Sequence, residues 1–163
     1  MKKATAKQQK AWTASLPYAC RVTPINDIKL TNTKRNRFKI DGNVSIDSKT
    51  KKPYYKLEVD GKLAPTHAAA KALMKHECGH VLAFIYENKR GASAFNKLMN
   101  TGWKSSVKMR NENVADCMAD NLKAVRKTKN YTVGYGTKCN AKQKKVAKTI
   151  VSYGKTVSLD RLD

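Results

Sequence analysis

From Pro65 to about Asn88 the chain runs without an internal proline and with a single glycine. Ala68, Ala69, Ala70, Ala72, Leu73, Met74, Val81, Leu82, Phe84 and Ile85 make this stretch apolar on most sides of a helix. A helix of that kind is buried, so the rest of the chain must pack around it. Pro65 suits a first helical turn, and Lys89-Arg90-Gly91 puts cations and a glycine where a C-terminus wants them. Inside the run stands His76-Glu77-Cys78-Gly79-His80. Polar groups in an apolar helix are costly unless partnered. His76 and His80 are four residues apart, so one helical face presents both imidazoles to one point. Two neutral imidazoles are good zinc ligands, and Glu77 beside them is placed to take a proton from water at the metal.

A catalytic zinc needs a third protein ligand. The chain has His 3. The remaining one, His67, is nine residues before His76, about 13 Å along a helix axis and out of reach. Glu87 is two turns beyond His80, about 10 Å away, and Glu58 falls in a strand pattern. That leaves Glu112, in Glu112-Asn113-Val114-Ala115-Asp116 on a second helical pattern. Asp116 shares the face of Glu112 and can accept from the far nitrogen of a ligand histidine, which fixes the tautomer.

These two motifs together resemble those of the gluzincins, the thermolysin-like zinc metallopeptidases. The form Glu-x-x-Ala-Asp is similar to that of their small single-domain members, the ImmA/IrrE-like and neutral zinc metallopeptidase groups. The resemblance implies one zinc per chain held by His76, His80 and Glu112, with Glu77 as general base and acid and Asp116 orienting a histidine. It implies hydrolysis of a protein or peptide substrate, as an endopeptidase. Tyr131, Tyr135 and Tyr153 are open candidates for stabilising the oxyanion.

Around this centre the order of patterns is α+β, strands first and helices after. Cys20-Arg21-Val22 reads as a short strand, with a turn at Pro24 to Asp27. Asp41-Gly42 between Phe38, Ile40, Val44 and Ile46 reads as a hairpin turn. Lys49 to Pro53 is a second turn, and Tyr54–Val59 a strand whose edge would be offered to an extended peptide. Residues 92–100 suggest a short helix, Met109 to Lys127 a long one, and Asn130 to Gly136 a Gly/Tyr loop. Residues 140–153 form a basic amphipathic helix. The expected architecture is zincin-like: a small antiparallel or mixed sheet packed on the active-site helix, then the second ligand-bearing helix and the basic C-terminal one. Residues 1–11 read as a basic tail or the start of a helix. Residues 12–163 form one catalytic domain.

Lys+Arg 34 against Asp+Glu 12 gives a formal net charge of +22. No acid occurs between Met1 and Asn26 or between Asn121 and Leu159. Such a surface attracts polyanions, with Lys142, Lys144, Lys145 and Lys148 as the contacts. The alternative function is therefore a basic protein binding nucleic acid or another polyanion, its zinc structural or absent. No nucleic-acid motif accompanies the charge, and lysine far outnumbers arginine, which points to nonspecific attraction. No apolar run is long enough for a membrane span, and no apolar signal-peptide core follows the first lysines, so a cytoplasmic location is favoured. Cys20, Cys78, Cys117 and Cys139 are few and scattered, and a reducing compartment is the default. Cys78 and Cys117 turn away from the metal face and read as small buried thiols, with pairing between any two left open.

Overall fold

The computed structural model describes residues 2–33, 38–104 and 109–157. Its elements are α1 (Ala6–Thr13), α2 (Tyr18–Val22), β1 (Ile25–Thr31), β2 (Ile40–Ile46), β3 (Pro53–Asp60), α3 (Ala68–Arg90), α4 (Ala92–Gly102), α5 (Arg110–Asn121) and α6 (Ala141–Thr156). The fold is mixed α+β, with one small sheet and six helices among the described residues.

The apolar run forms α3, and it is the hub. It packs against α1, α2, α4, α5, α6, β2 and β3. Ala69, Ala70, Met74, Cys78, Val81, Leu82 and Ile85 are fully buried, as a helix surrounded on most sides requires. His67 is its N-cap: the ring Nδ1 accepts from the backbone N–H of Ala69 at 3.0 Å. Gly91, at φ 88, ends the helix in a conformation that costs glycine nothing.

The sheet order is β1-β3-β2. β3 pairs antiparallel with β2 and parallel with β1. The sheet is therefore mixed, and Tyr54–Val59 lies in its central strand rather than at an edge. The outer side of β1 is partly covered, because Ile28 N–H donates to Lys2 O and Ala4 N–H to Ile25 O. β2 is the edge that faces the cleft described below. Within the segment read as a tail or helix start, Ala6 onward is helical, locked by a reciprocal capping pair between Thr5 and Gln8.

Three local readings give way to tertiary context. Cys20-Arg21-Val22 is helical, because Pro17 opens a turn whose carbonyl accepts from the N–H groups of Cys20 and Arg21. The turn signal at Pro24 to Asp27 is overridden by pairing of Ile25–Thr31 with β3. Asp41-Gly42 is mid-strand, opposite Glu58 and Leu57, and the hairpin turn falls at Asp47 to Lys52. Gly42 is there for close approach. A Cβ on it would stand 3.2 Å from Leu57 Cδ2 and 3.3 Å from Glu77 Cγ. A fourth difference concerns α5, which ends at Asn121 instead of continuing to Lys127. Lys123 takes φ 63, and Arg126 folds back to pair with Asp120 at 2.7 Å.

The cysteines are corrected too. Cys78 and Cys117 are buried, as expected, but they are not free thiols. Cys20 bonds to Cys78 and Cys117 to Cys139. The fold brings their Cα atoms to 5.4 and 5.9 Å, inside the bridging range. Disulfides persist in oxidising surroundings, so a reducing compartment loses the support it drew from the cysteine count. Each motif helix is thereby tied to a neighbouring segment. The sequence separations of 58 and 22 residues imply stabilisation of about 4 and about 3 kcal/mol on a chain-entropy basis. Non-reducing peptide mapping should recover the linked pairs Cys20–Cys78 and Cys117–Cys139, and reduction should lower Tm. Four alkylatable thiols in the native protein would refute the pairing.

Candidate metal centre

α3 and α5 cross where both carry small residues. A Cβ on Gly79 would lie 3.1 Å from Ala115 Cα and 3.2 Å from Ala115 O, so the two backbones approach as only glycine and alanine allow. This contact sets the two motifs face to face. His76 Nε2 and His80 Nε2 each lie 3.1 Å from Glu112 Oε2. The donor atoms of His76, His80 and Glu112 all lie within 4.8 Å of one another, a group that can hold a metal ion.

Asp116 sits behind this group, with no solvent exposure. Its Oδ1 accepts from His76 Nδ1 at 2.8 Å. Its Oδ2 accepts from the backbone N–H groups of Tyr135 and Thr137 at 3.0 and 3.1 Å, and Arg126 Nη1 stands 3.2 Å away. Burial alone would raise the Asp116 pKa. The bonds from His76, Thr137 and Tyr135 outweigh burial and hold it below the usual value. His76 mirrors this. Burial would lower its pKa, but the bonds to Asp116 and Glu112 raise it to about 9. The same bonds from His76 and His80 bring Glu112 down to about 2. A carboxylate bound to Nδ1–H leaves Nε2 to face the ligand position, the arrangement a metal-binding histidine needs.

Glu77 is 3 % exposed, and its Oε2 has no hydrogen-bond partner among the described residues. Burial pushes its pKa up to about 7, against the pull of His76 and His80. An orphaned buried carboxylate is a costly feature without a use. It lies in the same cleft, of about 630 Å³, as His76, His80 and Glu112. β2 forms one wall, Ala83, Phe84 and Glu87 of α3 and Phe95 of α4 form another, and the loop 132–135 a third.

Every residue expected at the metal is therefore brought together, with Asp116 as its support. Lys142, Lys144, Lys145 and Lys148 lie exposed on α6, away from the residues lining this cleft. His67 caps its helix instead of joining the centre.

The loop after α5 supplies what sequence reasoning missed. Tyr135 and Thr137 hold Asp116 through their backbone, and Arg126 neutralises it. The one signal was the Gly/Tyr character of residues 130–136. Gly134, at φ 80, passes so close that a Cβ would collide with the Asp116 carboxylate and come 3.2 Å from His76 Nδ1. Compared with family models, curated proteins and solved structures, the chain matches none.

Gly134→Ala should displace Asp116 from His76 while leaving the helices in place. Metal affinity, read by competition with a fluorescent zinc chelator, is expected to fall about 10- to 100-fold at unchanged circular dichroism. Unchanged affinity would remove Asp116 from the support of the site.

Proposed function

We propose that the protein is a zinc-dependent metallopeptidase. One observation carries the reading. A three-donor metal group and a buried carboxylate without a partner share one open cleft. A structural zinc site normally closes with four protein ligands and has no use for an unligated acid beside it. Two imidazoles and a carboxylate are also the donor set that zinc accepts while keeping a position for water. His76, His80 and Glu112 would hold the ion, one per chain.

Bound zinc supplies a Lewis acid that polarises a carbonyl and makes water a nucleophile near neutral pH. Glu77 would take the proton of the attacking water and pass it to the leaving amine, a role suited to a buried carboxyl with no hydrogen-bond partner among the described residues. Asp116 keeps His76 in the ligating tautomer. β2 offers an unpaired edge along the cleft, on which an extended peptide can add as a further strand.

Of the three tyrosines weighed as oxyanion donors, the geometry supports Tyr135. The Tyr131 hydroxyl is already spent on Val125 O at 2.7 Å. Tyr153 packs edge-on against Tyr86, outside the cleft. Tyr135 lines the cleft, its ring centroid 6.1 Å from that of His76, and its hydroxyl has no partner among the described residues. A tyrosine phenol is protonated at neutral pH and can donate.

Replacing Glu77 by Gln keeps the shape and removes the base. Hydrolysis of a denatured protein substrate should fall at least about 100-fold with zinc content unchanged. Undiminished turnover in that variant would overturn the mechanism.

A further inference from the structure

The charge of the cleft runs opposite to that of the molecule. Lys+Arg number 34 in 163 residues, yet none of the described residues lining the cleft is a lysine or arginine. Asp41, Glu77, Glu87 and Glu112 all line it. Glu77 and Glu112 belong to the chemistry above. Asp41 is within 3.8 Å of Lys39. Glu87 is different: it is exposed, forms no ion pair among the described residues, and has no part in the metal group. Arg90, one turn on, is directed over the Tyr153 ring instead, 6.0 Å from its centroid.

The surroundings of Glu87 say what would reach it. Ala83 and Phe84 from α3, Phe95 from α4, and Val44 and Ile46 from β2 line the same cleft. Glu87 lies seven residues after His80, about 10 Å along the helix axis. A lysine or arginine side chain lays an aliphatic stem on apolar surface and puts its charge at the far end. Extended from a backbone at the metal, such a chain spans most of that distance. The buried Oε2 of Glu77, without a partner among the described residues, opens on the same cleft and marks it as a place where a ligand completes the structure.

We propose that the cleft takes peptides with a lysine or arginine beside the scissile bond, and that Glu87 is the residue that selects it. The inference rests on the peptidase reading. It names a local preference, because the +22 of the whole chain repels a cationic peptide at long range. Salt near 0.15 M screens that repulsion beyond about 8 Å and leaves the contact inside the cleft.

The test uses the full-length Glu77→Gln protein loaded with zinc, which binds without turnover. The probes are octa-alanine peptides with an uncharged fluorophore and one internal Lys, Leu or Glu, followed by anisotropy in about 0.15 M salt. The Lys peptide should bind about fivefold tighter than the Leu peptide, the scale of one partly exposed charge pair. Adding Glu87→Lys should abolish that preference and favour the Glu peptide. Equal binding of all three, or a Lys preference that survives Glu87→Lys, would overturn the proposal. Mass spectrometry of the same peptides with wild-type protein separates the two readings. Lys-selective binding without any cleavage refutes the peptidase reading alone. Cleavage indifferent to the basic residue refutes this selection alone.

Discussion

A carboxylate with no solvent exposure must be paid for by its partners, and Asp116 recruits them from α3 and from the segment after α5. It takes a bond from His76 on α3, two backbone N–H groups from the loop after α5, and the charge of Arg126. The crossing of α3 over α5 at Gly79 and Ala115 makes the His76 bond geometrically feasible. The loop can reach because Gly134 has no side chain to strike the carboxylate. Cys117–Cys139 fastens that loop to the same helix one residue beyond Asp116. One buried charge thus explains a glycine, a disulfide and an arginine that otherwise look unrelated.

The same logic separates the parts of the fold that were legible in the sequence from those that were not. α3 was readable because its burial is written in its own composition, from Ala68 to Ile85. The centre was readable because His76, His80, Glu112 and Asp116 sit at fixed spacings on two helices, and helical spacing converts directly into a shared face. The sheet was less so. Asp41-Gly42 carries a strong local turn signal, yet Gly42 is needed in a strand to let Glu77 approach. Ile25–Thr31 becomes a strand only because β3 lies beside it. Neither fact has a local signature. Cysteine pairing across 58 and 22 residues is likewise a property of the fold rather than of spacing.

Charge divides the molecule into two regimes. The outside is dominated by lysine, and α6 presents Lys142, Lys144, Lys145 and Lys148 to solvent. The cleft collects carboxylates: burial raises the pKa of Glu77, bonds from the two histidines lower that of Glu112, and Asp41 and Glu87 stand exposed along the wall. Low dielectric inside the cleft strengthens each interaction there, while solvent screens those outside. Net charge therefore describes how the protein meets other large molecules. The proposed chemistry depends on the few groups gathered between α3, α5, β2 and the loop after α5.

Metal content tests the account most directly, with wild-type protein and Glu112→Ala purified and reconstituted side by side. After dialysis against a weak chelator, the wild type should retain about one zinc per chain and the variant almost none, because two imidazoles without the carboxylate hold zinc weakly. Zinc absent from reconstituted wild type, or held as firmly without Glu112, would contradict the three-donor centre on which the rest is built.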